Sequence, residues 1–516
     1  MIEVPSDPSA PPRLLIPNGE NGQYVILSHC WGENLPAKLT TSLITEYEQV
    51  INLESLPRNF KDAIEITRVL GYRYLWIDAL CILQDNADDW EKEAPMMASY
   101  YGLSSLMISA TAARNSHEGF LKRRNVICSP GLGEEKSFYL RYGVIRPDAD
   151  IAASILSTRG WAAQERMLAP RVLHYTQRQM IWECANGMVS EASGIHFMDY
   201  PPVARHYPTL RKRRLQGFFE QALSVASNQF PTSERAPRND VQLLLQAWHE
   251  CIDEYSVRDL TMPSDKLHAV AGIATLLNKY SEMGHYLAGI WSTRLADNLA
   301  WRKHKGYLSP PVNYRAPSWS WASLDGRVLF HGPERSGACQ ALSNETMEKR
   351  AKLFGLNLKE HHMVLKDNRN IYGAVLEGSY IIVEGACIAY KALDRLLDKM
   401  AVNPNAHRIS LMNSTNPYSA IHKLDSRPQE YKASPRRLYV DDVDDEDPTS
   451  ARHFCMYLRG SGDDIEVLLL EWLDREKKAA RRVGIMRLME YEGEYFEYFE
   501  EGIHTDEWQR WTIKLV

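Results

Sequence analysis

Between residues 24 and 109, short continuous apolar runs alternate with stretches whose apolar side chains return every three or four positions. YVILS at 24–28, YLWI at 74–77 and SLMIS at 105–109 stop abruptly at polar or glycine positions, as strands buried on both faces do. Between the first two, Phe60, Ala63, Ile64, Thr67 and Leu70 share one helical face. With Pro57 at its start and Gly71 just past its end, this stretch predicts a helix over 57–70. Asp88 and Glu91 resemble a capping box opening a second helix to about Tyr101, which Pro95 interrupts. Strand, helix, strand, helix, strand at this spacing predicts right-handed crossovers and a parallel sheet. Ligands in such sheets gather beyond the carboxyl ends of the strands, where Ser28 and Asp78 stand. Residues 165–175 predict a further helix or turn, and 179–184 a strand that closes this α/β domain.

The pattern then changes twice. From about 215 to 305 apolar residues recur at helical steps, including LHAVAGIATLL at 267–277 and YLAGIWSTRLADNLAW at 286–301, which predicts a packed helical layer. Beyond 327 the period shifts towards two, and 379–386, 452–458, 466–473 and 484–488 read as strands of a β-rich region. Between them, 416–450 is rich in Pro, Ser and charge and ends in DDVDDED at 441–447, a solvated loop rather than a metal site. Trp319, Trp321, Trp508, Trp511 and the aromatic string at 491–499 predict packing. The expected organisation is an N-terminal tail (1–19), an α/β module (20–190), a helical extension (191–326) and a β-rich C-terminal domain (327–516).

Composition narrows the function classes. A chain of 516 residues with 44% hydrophobic content can build more than one core, since single cores stop growing near about 250–300 residues. A net charge of −6 gives no basic field for nucleic acid or an anionic membrane surface. No run of about 18 apolar residues occurs, so no membrane span is expected. The eight cysteines are scattered without a C-x-x-C pair, which suits reduced, mostly buried thiols. A cytoplasmic protein is the expectation, with no metal and no required cofactor.

Four phrases carry the candidate chemistry: YVILSHCWG at 24–32, YLWIDALCILQD at 74–85, RGWAAQERML at 159–168 and IWEC at 181–184. With Leu56, Pro57, Phe60, Asp62, Ala63 and Ile64 in one helix and Trp90, Glu93, Met97 and Tyr100 in the next, they resemble the fungal heterokaryon-incompatibility (HET) domain. His29 stands where that family more often has Tyr. SDKLHAVAGIA, AGIW and YRAPSWSWASLDG at 314–326 extend the resemblance more loosely. It implies a parallel-sheet HET module and a role in non-self recognition and programmed cell death, with self-association and an unidentified incompatibility partner. A distant similarity of HET modules to Toll/interleukin-1-receptor (TIR) domains further implies an NAD-cleaving enzyme, NAD being substrate rather than cofactor. Glu93, three positions after Trp90, would then be the catalytic carboxylate, with Asp78 beside it. The rivals are a non-catalytic self-associating module and a small-molecule enzyme on the same scaffold.

Each candidate also has a bland reading. Ser28, His29 and Cys30 are adjacent and point to alternate faces, so they form no triad among themselves. Ser28 could serve a strand-end turn, and Cys30 a small buried apolar group. Asp78 at the end of a buried strand needs a partner: it could cap a helix N-terminus, pair with Arg159 or Arg166, or meet a ligand. Arg159, Trp161, Gln164 and Arg166 could bind a phosphate or dinucleotide together with Ser28, His29 and Trp31. Alternatively Arg166 and Glu165 form a buried ion-pair network that holds helix to sheet, which Asp78 could require. His174 and His268 have no partner at metal-ligand spacing and default to satisfied histidines.

Overall fold

In a computed structural model, Tyr24–Ser28 (β3), Tyr74–Trp76 (β4), Leu106–Ser109 (β5) and Arg171–Tyr175 (β6) are parallel neighbours in the order β6-β5-β3-β4. The structure describes residues 1–17, 19, 22–32, 37–122, 127–129, 138–140, 147–184, 187–191, 240–280, 282–303, 311–330, 354–389, 392–393, 408–412, 453–461, 464–489 and 508–516. Two compact units divide the chain: residues 1–247 with 258–281, and residues 248–257 with 282–516.

In the first unit the sheet is mixed rather than wholly parallel. Ile2–Glu3 (β1) pairs antiparallel with β4 and carries Arg13–Leu14 (β2) at that edge. At the other edge, Met180–Cys184 (β7) and Gly187–Ser190 (β8) continue antiparallel from β6. The predicted helix or turn over 165–175 splits into a helix, Trp161–Leu168 (α3), and the fourth parallel strand β6.

The two faces of the central strands do different work. Val25, Leu27, Leu75, Ile77, Leu106 and Ile108 form one buried cluster with Phe60, Ala63 and Ile64 of Arg58–Val69 (α1). Each large buried side chain there contributes about 1.5–3 kcal/mol. Gly71 ends α1 at φ +77, donating to the Arg68 carbonyl, a left-handed C-terminal cap that glycine adopts without strain. The opposite face carries Ile26, Trp76, Met107 and, in one register row, Ser28, Ser109 and His174. Ala87–Gly102 (α2), α3 and His268–Tyr280 (α4) stack over this face; Trp76 lies 5.3 Å from the Tyr100 ring and 6.0 Å from Tyr101. The cap of α2 is Asn86, whose side chain accepts from Asp88 and Asp89 N–H, so the expected Asp88/Glu91 box does not open the helix. The helix also continues unbroken through position 95, contrary to the interruption expected at Pro95.

The second unit is β-rich, as the two-residue period predicts. Tyr380–Ala389, His453–Ser461, Asp464–Asp474 and Ala479–Met489 form an antiparallel series, and Gln509–Leu515 pairs with both the first and the last of them, closing the ring. The helix expected over 286–301 is not one. Tyr286–Leu287 and Ile290–Trp291 form a hairpin whose tip, Ala288 and Gly289, has φ +41 and +103, and only Leu295–Leu299 of that stretch is α-helical. A two-residue turn with both φ positive matches the strand twist, and the closing tryptophan can then pack. Trp291, Trp301, Trp319 and Trp321 are fully buried. The acidic loop at 416–450 and the aromatic string at 491–499 lie outside the described residues.

Candidate functional site

At the carboxyl end of β3 the Ser28 hydroxyl, buried, donates to Glu165 Oε2 at 2.5 Å. This contact joins sheet to helix across 137 positions. Glu165 is itself buried near Tyr101, whose hydroxyl donates to the Leu27 carbonyl of β3 at 3.4 Å. Burial pushes the Glu165 carboxyl above its usual range, with the Arg159 charge and the Ser28 hydrogen bond opposing the shift. Arg159 reaches back to the sheet, where its Nη1 donates to the His29 carbonyl.

His29 lies 2% exposed with its ring edge against Phe60, and burial pulls its imidazole down to about 4. It is therefore neutral near pH 7, and its Nδ1 stands 3.9 Å from Asp78 Oδ1. Asp78 accepts from Trp31 Nε1 at 2.9 Å and from the N–H of Ala79 at 2.7 Å, opening the helical turn Asp78–Cys81. Of the roles expected from sequence, a place at a helix start is the one Asp78 takes; neither Arg159 nor Arg166 is hydrogen-bonded to it. Cys30 is buried, which raises its thiol and keeps it protonated. A protonated thiol is a poor nucleophile.

Each marked letter of R-G-W-x-x-Q-E-R has a separate partner. Gly160 donates to the Asp259 carbonyl at 2.7 Å, and a Cβ there would come within 2.4 Å of a Leu260 methyl, so a larger residue would require the Leu260 side chain to move. Trp161 Nε1 donates to Asp265 at 3.2 Å, and Gln164 Oε1 accepts from the Gly272 N–H of α4 at 2.8 Å. Arg166 pairs with Glu183 of β7 through Nε at 2.9 Å and Nη2 at 3.1 Å. Of the two residues expected in one network holding helix to sheet, Arg166 makes an ion pair with Glu183, while Glu165 meets the sheet separately through the Ser28 hydroxyl. His174 Nε2 lies 2.8 Å from the same Glu183 oxygen.

Ser28, His29, Trp31, Asp78 and Arg159 therefore form one connected cluster with Glu165 and Tyr101. Trp161 and Gln164 hold α3 against residues 265 and 272, and Arg166 belongs to a second network with Glu183 and His174. Glu93 accepts from the Tyr100 hydroxyl at 2.6 Å, and no hydrogen bond or ion pair joins it to that cluster among the described residues. A crevice of about 10 Å³, room for about one water, is lined by Ser28, Ser109, Thr111, His174, Arg166 and Arg258, among others. Glu93 and Asp78 are not in its lining. Sequence reasoning passed over Ser109, Thr111 and Glu183. The available signal was Glu183 itself, an acid inside the apolar IWEC strand.

No cluster of three or more His, Cys, Asp or Glu side chains able to hold a metal occurs among the described residues. No helix described is long and apolar enough to cross a membrane. No curated protein and no solved structure matches the chain. Residues 24–165, the span from the start of β3 to the Glu165 that meets Ser28, match the family model of the heterokaryon incompatibility protein (HET), so the chain carries a HET domain there.

Proposed function

We propose that the protein is a cytoplasmic effector of heterokaryon incompatibility and programmed cell death in a fungus, acting through its HET module and by self-association rather than by NAD cleavage. A HET domain implies an incompatibility-related role. The observation that favours a non-NAD mode is the strand-end geometry. The crevice has a free volume of about 10 Å³, room for about one water molecule, far below the roughly 300–1,000 Å³ typical of pockets for drug-sized ligands, and a dinucleotide is larger still. Glu93, the carboxylate the TIR analogy would use, is held by Tyr100 instead of facing that crevice.

The test is to induce the full chain in a filamentous fungus while following growth, cellular NAD and the sedimentation of the protein. Growth arrest with unchanged NAD, equal in wild type and Glu93→Gln, together with a shift to larger assemblies, is the expected result. Glutamine keeps the size and the acceptor for Tyr100 while removing the charge that a ribosyl cation needs. NAD depletion in the wild type that disappears in Glu93→Gln would overturn this reading in favour of the enzyme. Normal growth at every expression level would remove the cell-death assignment.

A further inference from the structure

In the second unit two histidines distant in sequence meet at the surface. The ring centroids of His285 and His361 stand 4.3 Å apart, with their planes inclined at 45°. His285 closes the hairpin of Tyr286–Leu287 and Ile290–Trp291. Its N–H donates to Ser292 Oγ at 2.7 Å, and its carbonyl accepts from the Ser292 N–H at 2.9 Å. The next residue, Tyr286, is buried against Trp291 and Tyr372, which anchors the hairpin in the core. His361 stands in the strand Asn357–His362 at one end of the described sheet, opposite the fully buried Ile381. Each backbone is thus fixed by an element of its own, and the fold brings the two rings together. His285 is exposed and His361 half-buried, so the pair is open to solvent. Among the described residues no hydrogen bond or ion pair engages either imidazole. The adjacent histidine is placed differently. Successive strand residues face opposite sides, and His362 turns to Tyr380, whose ring lies 5.5 Å away. Tyr380 in turn donates to Glu360 Oε1 at 2.7 Å, so that carboxylate is also engaged away from the pair.

From this juxtaposition we propose that His285 and His361 together hold one divalent transition-metal ion of the zinc class, and that the ion ties the 285–292 hairpin to the strand 357–362. Imidazole nitrogen suits zinc, copper and nickel, whereas calcium and magnesium take oxygen ligands. Two ligands on separate rigid elements differ from a flexible histidine tract, because the hairpin and the strand ladder bring the rings together before the ion arrives. The pair supplies fewer ligands than a closed structural zinc site has. Water completes the coordination, and those positions stay exchangeable.

The test uses the full chain, first stripped with chelator, with Zn²⁺ as the probe and Mg²⁺ as the control. Hydrogen exchange is followed in peptides covering 285–292 and 357–362 as metal is added. The expected result is that Zn²⁺ slows exchange in both segments over the same concentration range and Mg²⁺ slows neither. His285→Ala and His361→Ala should each raise the zinc concentration required by at least about 10-fold, since losing even a partner behind a ligand costs about 10–100-fold in affinity. His362→Ala removes a neighbouring histidine and should leave the response unchanged. Both ligand side chains lie at the surface, so metal-free exchange in each variant should match wild type, and the two substitutions test the site independently. No zinc-dependent protection, protection of one segment alone, or a loss as large in His362→Ala as in His361→Ala would overturn the proposal. None of these readouts involves growth arrest or NAD, so the outcome is separate from that of the proposed cell-death role.

Discussion

Glu183→Ala tests whether the second network holds the sheet edge to α3. In the folded chain the Glu183 side chain is 1% exposed, as is that of His174, and Arg166 is 15% exposed. Alanine removes the acceptor for two guanidinium contacts and one imidazole contact, and takes the paired carboxylate from a nearly buried cation. Breaking a buried pair from one side costs about 3–5 kcal/mol, against a whole-domain margin of about 5–15 kcal/mol. Because the chain has two units, a single unfolding midpoint would mix them, so the loss is best read locally. Hydrogen exchange of peptides covering 171–184 should show the opening free energy falling by about 3 kcal/mol or more. The double substitution Arg166→Met with Glu183→Leu should recover most of that loss, because it removes the charges instead of orphaning one. A fall below about 1 kcal/mol in Glu183→Ala, the level of an exposed pair, would refute the reasoning. So would a double variant no more protected than the single one.

Trp76→Ala should reduce soluble yield, since removing this 3% exposed indole from beneath Tyr100 and Tyr101 costs about 3–5 kcal/mol; unchanged thermal unfolding would contradict it. Gly272→Ala should destabilise by about 1–3 kcal/mol in urea despite alanine's better helix propensity. The added Cβ would stand 2.3 Å from Ala98 Cβ and 2.8 Å from Gln164 Oε1. Glu165 has a folded-state value above 4.5, so its contribution is fully present below about pH 4.5 and is lost as pH rises through the higher folded value. Glu165→Gln removes that dependence, and its urea midpoint relative to wild type should climb as pH rises; parallel curves would refute the assignment. A chain ending at 190 should be insoluble where 1–281 is soluble, and equal solubility would show that the segment 258–281 is dispensable.

The central strands, α1 and α2 were legible because burial on both faces writes continuous apolar runs and amphipathic periods into the sequence. β6 was not. RVLHY carries Arg171 and His174 within five residues, and contacts such as those to Glu183 and Thr111, invisible in the sequence, let an imidazole sit 1% exposed in a strand. The tryptophan-rich stretch 286–301 misled for a different reason. Its apolar spacing fits a helix, but Ala288 and Gly289 take positive φ, a conformation that alanine rarely announces. For the site, the strand-end rule anticipated the place of Ser28 and Asp78, while partner identity was hidden. Nothing in the spacing of Glu165 and Arg166 says that neighbours on one helix turn to different strands. Consecutive helical positions diverge by about 100° around the axis, which sends one carboxylate to β3 and the adjacent guanidinium to β7.

The reach of the HET module as a physical object follows from α3 and not from where sequence similarity ends. The match stops at residue 165, in the middle of that helix. Yet Gly160 is held by Asp259, Trp161 by Asp265 and Gln164 by Gly272, three contacts to a segment about a hundred residues later. A buried glutamine amide oxygen with no donor would cost about 1–3 kcal/mol, so Gln164 makes sense only with α4 in place. The same helix sends Glu165 and Arg166 the other way, into the sheet. α3 is therefore a two-sided element: one side closes the crevice over Ser28 and His174, and the other is stabilised by residues 258–281. Gln164, held by α4, and Glu165, held by Ser28, are adjacent on one helical turn, so the residues that seat α3 against α4 stand next to those that seat it on the strand-end cluster, and the physical module extends past the matched span to residue 281.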